Sequence, residues 1–327
     1  MDTSDSTTTV RYTIVYRTHS NDGLIAAFIA YTALRPSGSV QFETMCAHHR
    51  IKPSHLLSWV STHVLFLDLI PTEEDKQLLL SGGVLSVEHI DYRDRPHVEM
   101  GIDLTVSTAV HTWNKWYSQQ ENPFWLGSVN RIALWKQPTL EDRCLREILT
   151  NVVHMSPADA IRSTEALMQW MTTPHCAEFQ GLMAQAHVRL TEKDGMLNYH
   201  LTQHGRLVCI QEQDAHVWKL SREWVGLPVF LMDNSNIIID TNEAAHLVFS
   251  TFQEVGVFIN YRKKLRHDPL TKQAHMTYLY SGRSVAFDLT TGGFFSGQKQ
   301  SAGATISLSG QNVEPLPFQP YSLTSTA

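Results

Sequence analysis

Residues 63–75 read HVLFLDLIPTEED, a near-continuous apolar run that reaches Asp68 and then turns through Pro71 into an acidic stretch. A short run rich in branched residues reads as a buried strand. Proline in the first turn, followed by acidic residues, is helix-start chemistry, and that helix is expected to continue through Leu80. The same grammar recurs on either side. Arg11–Tyr16 (RYTIVY) predicts a strand, Arg17–Gly23 (RTHSNDG) a polar turn, and Leu24–Leu34 an apolar helix with Asn21 or Asp22 placed to cap it. Val40–Met45 predicts a second strand, and Val84–Asp91 (VLSVEHID) another that ends on an aspartate. Strands alternating with helices argue for a parallel sheet with helices on both faces. In such sheets ligands gather beyond the carboxyl ends of the strands. Asp22, Asp68 and Asp91 all fall at such ends.

From about residue 104 the periodicity becomes helical: Val106–Tyr117, Pro123–Trp135, Thr139–Val153, Pro157–Met171 and Pro174–Leu190. From about Gly195 it changes again. Leu197–Leu201, Leu207–Gln211, Pro228–Met232, Val255–Tyr261, Met276–Tyr280, Val285–Leu289 and Ala304–Leu308 read as strands, with a helix over Glu243–Phe252. The expected fold is therefore α/β. A parallel-sheet domain with its helical connector covers residues 10–190, and a smaller α/β domain covers 195–310. Residues 1–9 and 311–327 read as loose termini. A chain of 327 residues, 43% hydrophobic, can bury two such cores.

The net charge of −6 provides no global basic field, so nucleic acid would need a local patch. Arg262, Lys263, Lys264, Arg266 and Lys272 form the marked basic cluster, whose default reading is a solvated loop. The four cysteines, Cys46, Cys144, Cys176 and Cys209, contain no C-x-x-C pair, which suits a reducing interior. The polar start resembles no signal or transit peptide, and no apolar run approaches membrane-spanning length. An intracellular protein of the cytoplasm or an organelle matrix, without membrane insertion, is expected.

Taken in order, these motifs resemble the DHH phosphoesterases with their appended DHHA1-type substrate domain. Tyr16–Tyr31 (YRTHSNDGLIAAFIAY) is similar to a family opening of strand, H-x-x-C-x-D-G and alanine-rich helix. HVLFLDLIPTEED resembles the second motif, VEHIDYRD the third (written I-D-H-H in the family), and STAVHTW at Ser107–Trp113 the S-x-A-x-x-x-W helix. Later, LPVFLMDNSNIIIDTNEAAHLVF with EVGVFINYR, and SVAFDLTTGGFFSGQKQSAGATISL, resemble parts of the second domain, the last its end, which the family writes G-G-G-H-x-x-A-A-G.

The resemblance implies hydrolysis of phosphodiester or phosphoanhydride bonds, commonly with two manganese ions, which polarise phosphate and generate hydroxide. Such a site needs carboxylates and imidazoles together. Here Arg17 stands where the family has its first histidine, Tyr92 and Arg93 stand at the two histidines of D-H-H, and Gln298 replaces the histidine of G-G-G-H. The family's later aspartate falls within Asn130–Trp135, at Ala133 or Arg131. Asp22, Asp68 and Asp91 remain as a remnant site, with His19 or His89 as imidazoles from a shifted register. A guanidinium about 4 Å from a divalent ion is repelled by roughly 8 kcal/mol at an effective dielectric near 20. Arginine among carboxylates instead favours an internal ion-pair cluster or a phosphate pocket. Arg17, Arg93, Gln298, Lys299 and Ser301 are the phosphate-binding candidates; Gly292–Gly303 either cradles phosphate through its N–H groups or forms a turn between strands. Ser107 reads as a helix start, and Trp113, Trp116, Trp125 and Trp135 as helix-face core.

The expected function is a catalytically inactive relative of these enzymes, serving as a structural or RNA-associated component of a larger assembly. It would need no cofactor and would have protein partners or form a homo-oligomer. The alternatives are a divergent phosphoesterase acting on short oligonucleotides or nucleotides with manganese or magnesium, and a nucleotide-sensing module that binds without turnover.

Overall fold

The computed structural model describes residues 10–46, 50–91, 106–134, 138–173, 175–212, 224–237, 239–267, 274–284, 289, 296–298, 301–309 and 319–320. For residues 267, 274–275, 296–298, 301–309 and 319–320 the description is of the backbone. The chain divides into two units, Met1–Leu190 and Thr191–Ala327.

The first unit opens with β1 (Val10–Arg17), α1 (Asn21–Leu34), β2 (Gly38–Met45), α2 (Pro53–Trp59), β3 (His63–Leu67), α3 (Glu73–Ser81) and β4 (Ser86–Ile90). The strands form one parallel sheet in the order β2-β1-β3-β4. Side chains of a strand alternate between faces, and each face here has its own cover. Ile14, Tyr16, Leu65 and Leu67 pack with α1, whereas Val15, Val64 and Phe66 pack with Trp59 of α2 and Leu79 of α3. The α/β expectation with helices on both faces holds. The α1 connection lies on one face and the α2 crossover on the other, so the winding reverses between β1 and β3. That reversal is the topological switch point where open α/β sheets take their ligands.

α1 is apolar around its circumference because it is enclosed on all sides: Leu24 through Ala30 are all buried. It packs on β1 beneath a helical layer of α4 (Thr108–Tyr117), α5 (Phe124–Leu134), α6 (Leu140–Val152) and α7 (Pro157–Thr172). Trp125 is buried in that layer, with Trp113 and Trp116 packed against it, as expected of helix-face core; Trp135 lies outside the described residues. The short α2 was not expected. It buries only Trp59, too little to show as a periodic apolar face.

α8 (Ala177–His204) runs much further than its expected end at Leu190. Leu197–Leu201, read as a strand, is helical. Leu197 and Leu201 are four residues apart and both buried, whereas Tyr199 between them is 63% exposed, so the apparent alternation is one helix face seen every fourth residue. The second unit continues with β5 (Gly205–Cys209), β6 (Val229–Asp233), α9 (Thr241–Thr251), β7 (Val257–His267), β8 (Ala274–Ser284), β9 (Ser296–Gln298), β10 (Ser301–Ser309) and β11 (Gln319–Pro320). Its sheet order is β11-β5-β6-β7-β8-β10-β9, with β6 and β7 parallel across the α9 crossover and the other pairs antiparallel. Most of Val285–Leu289 lies outside the described residues. All four cysteines are free. Among the described residues, no helix is long and apolar enough to cross a membrane.

Candidate functional site

Four non-glycine residues among those described have left-handed backbone: His19, Ser61, Asp68 and His175. Two of them, His19 (φ 59°) and Asp68 (φ 57°), sit just beyond the carboxyl ends of β1 and β3, on the two sides of the switch point. Such conformations cost energy and gather where a site needs a side chain aimed against local preference. The strain therefore marks the same place as the topology.

Asp22, Asp68 and Asp91 are 6%, 3% and 1% exposed. Carboxylates so buried require partners, and the partners of Asp22 and Asp68 show what those two do. Asp22 was expected either to cap its own helix or to hold metal. The cap of α1 is Ser20, whose hydroxyl accepts from the Gly23 N–H at 3.1 Å. Asp22 instead reaches across to α4, accepting from Thr108 N at 2.9 Å and Ala109 N at 2.8 Å. Asn130 of α5 completes the arrangement, its Oδ1 accepting from Ser107 N at 2.7 Å. Three backbone donors at the head of α4 are thus satisfied by side chains far away in sequence, which answers the demand of a buried helix start. Ser107 is the N-cap residue of α4, but its side chain makes no capping hydrogen bond. Its buried hydroxyl stands against Asp22, near enough to favour the charged carboxylate though outside hydrogen-bond geometry.

Burial first, and the nearby Asp68 charge after it, push the Asp22 carboxyl up to about 7 against the opposing pull of the Ala109 and Thr108 N–H groups and Ser107. Asp68 accepts from the Ser20 hydroxyl at 2.5 Å, so Ser20 links the cap of α1 to the end of β3. Arg17 Nη1 lies 4.0 Å from Asp68 Oδ2 on a side chain that is 38% exposed, a loose ion pair rather than a hydrogen bond. Gly23 permits the whole approach: a Cβ there would lie 3.3 Å from both Arg17 N and Asp68 Cβ.

The remaining candidates divide. His19 is exposed, with its ring 4.6 Å from that of His154 in the turn after α6. His89 is half-buried within β4. Tyr92, Arg93, Lys272 and Lys299 lie outside the described residues. Gln298 of β9 and Ser301 of β10 are paired, and Ser301 lies opposite Arg283 of β8, so the described part of the glycine-rich segment forms antiparallel strands. Arg131, placed where a carboxylate ligand was sought, makes a bidentate pair with buried Asp142 of α6, at 2.7 and 2.8 Å. It braces two helices and is no part of the strand-end cluster. In β7, Lys263 pairs with Asp233 at 2.9 Å, while Lys264 and Arg266 are exposed.

These donors do not fit a two-ion centre. Both oxygens of Asp22 face backbone N–H groups, the Arg17 guanidinium stands 4.0 Å from Asp68, and among the described residues no group of three or more His, Cys, Asp or Glu side chains could hold a metal. A cavity of about 290 Å³ lies on the α2–α3 side of the sheet edge, lined by Met45, Cys46, Arg50, Ile51, Phe66 and Leu69 among others, but by none of the three aspartates. The strand-end cluster, where the chemistry-bearing side chains are, is the better site.

Sequence reasoning missed Ser20, Asn130 and His154. A serine just before N-D-G is a recognisable N-cap. The other two act across the fold and leave no local signal.

A doubly wound parallel sheet with buried carboxylates at its switch point, followed by a mostly antiparallel unit, is the class of architecture these observations define. No protein-family model matches the sequence, and no curated protein matches it. Among the solved structures similar to this chain, three align over 90% of it. They are RecJ in complex with Mn2+ from Thermus thermophilus (14% identity, TM-score 0.40), exonuclease RecJ bound to manganese (14%, 0.39) and an exopolyphosphatase-related protein from Bacteroides Fragilis (10%, 0.31). The chain spans 49%, 85% and 86% of their respective lengths, so about half of the first.

Proposed function

We propose that this chain is a divergent DHH-like protein whose strand-end site no longer performs two-metal hydrolysis, and that it acts as a structural or RNA-associated component of an assembly. One observation carries the reading: Asp22, the carboxylate of the best-kept motif, has both oxygens engaged by the head of α4. The loose Arg17–Asp68 pair supports it, since a cation there opposes binding of another. A partner surface is supported by Leu57 of α2, 82% exposed, and Leu85 after α3, 58% exposed. Contact with RNA phosphates is supported by Arg262, Lys264 and Arg266, which share one face of β7 by the strand's two-residue period.

The test is incubation of the full chain with manganese or magnesium and end-labelled short RNA, short DNA and polyphosphate. No metal-dependent release above a metal-free control is expected. Turnover that disappears in Asp68→Asn would replace this reading with the active one.

That second reading, a divergent phosphoesterase using Asp22, Asp68, Asp91 and His19, is favoured by the raised Asp22 carboxyl beside Asp68 and by the strained backbone at His19 and Asp68. The two differ in a single measurement, and the inactive reading accounts for more of the contacts.

A further inference from the structure

The ring of His19 stands 4.6 Å from that of His154, tilted by 48°, and both residues are exposed. They are 135 positions apart and come together at the switch-point end of the sheet. Each is held by ordered backbone. Around His19, Thr18 N donates to Met45 O at 2.9 Å and Ser20 N to Arg17 O at 3.3 Å. Around His154, Val153 N donates to Leu149 O at 2.9 Å and Met155 N to Val152 O at 3.0 Å. His19 adopts its left-handed conformation in that turn, an unfavourable backbone that nevertheless presents its ring to His154.

We propose that His19 and His154 form a two-imidazole binding site for a borderline divalent cation such as zinc, nickel, cobalt or copper. Two imidazole nitrogens bind one ion at about 2.0–2.1 Å each. With each ring centre about 1.1 Å beyond its nitrogen, the centroids stand about 4.5 Å apart for a right-angled bite and about 5.1 Å apart for a tetrahedral one. The observed 4.6 Å lies in that interval. His200 and His204, one turn apart on α8, stand 6.1 Å apart and fall outside it. Two nitrogen donors select the later first-row ions over manganese, magnesium and calcium, which favour oxygen. With two protein ligands, the other coordination positions are left to water or to an oxyanion arriving at the switch point. This goes beyond the function proposed above and does not depend on it, because no carboxylate of the remnant site takes part.

Isothermal titration of the full chain with nickel and zinc salts tests the proposal, with manganese as comparison. A single saturable 1:1 event is expected for nickel and zinc but not for manganese. His19→Ala and His154→Ala should each weaken it at least about tenfold, ~1.4 kcal/mol, while leaving the metal-free circular dichroism spectrum unchanged. His200→Ala should leave the event intact. Absence of a saturable event, an event unchanged in both the His19 and His154 variants, or one removed by His200→Ala would overturn it. A hydrolysis assay does not bear on these outcomes, so the two readings fail separately.

Discussion

Replacing Asp22 with asparagine separates the two roles available to that carboxyl, and the size of the effect follows from its surroundings. In the unfolded chain it releases its proton near the ordinary 3.8, whereas in the folded protein burial and Asp68 hold the proton until about pH 7. Between those values the folded state carries the extra proton, so stability falls as pH rises. Over the full interval of about three pH units the loss is about 4 kcal/mol, undiminished by solvent because the group is enclosed. Asparagine has no such titration. Its one amide oxygen can satisfy Thr108 N or Ala109 N but not both, and a buried donor left unpaired costs about 1–3 kcal/mol. The variant should therefore be less stable than the parent by about 1–3 kcal/mol near pH 4. Above about pH 8 it should be equal or more stable by a similar amount, since the buried charge is gone. Urea denaturation followed by circular dichroism at several pH values reads both curves, and they should cross between pH 4 and 8. Parallel curves would show Asp22 ionised throughout, held by the positive end of α4, and would refute this account.

Gly23→Ala should destabilise by about 1–2 kcal/mol, because a crowded Cβ costs about 1–3 while better helix propensity returns up to about 1; thermal melting checks it. Arg131→Ala should cost about 1–2 kcal/mol at neutral pH, discounted because the arginine is 43% exposed. Asp142 is held below the usual carboxylate range: burial, the largest influence, raises it but is outweighed by the Arg131 hydrogen bonds with help from Thr139 N and Ser128. Its stabilisation is present above the unfolded pKa and fades in acid, so the Arg131→Ala deficit in denaturant midpoint should shrink toward pH 3. Asp68→Asn should leave background phosphodiester release unchanged in the presence of manganese; metal-dependent release lost in that variant would favour the active alternative.

The sheet was readable because its strands carry their own pattern. Phe66 and Leu65 face opposite covers, so β3 is apolar throughout, and Pro71 with the following acids announces α3. Legibility failed where a local pattern had two solutions. Leu197, Tyr199 and Leu201 satisfy a strand's alternation and a helix's four-residue spacing equally, and burial of the leucines in a helical core decided between them. It failed again where the deciding partner is distant. Asp22 next to a helix start looks like that helix's cap, but its partners are 86 and 87 positions away, and Ser20 already fills the local role. That three aspartates end strands is legible in the sequence; what Asp22 and Asp68 touch is not.

Asp22 at the head of α4 also bears on what a site can change while keeping its outline. A mutation at this position disturbs the seating of a helix, so the aspartate is held by the scaffold whatever becomes of the chemistry. Arg17 has no comparable duty: its side chain is well exposed and its ion pair with Asp68 is loose. A position of that kind can change its side chain without the fold registering the change. Drift would thus strip such a site selectively, leaving the carboxylates that architecture protects and releasing the ligands it does not. In proteins built this way, an Asp-Gly pair at such a place is a record of folding, and the identity of its neighbours is the record of function.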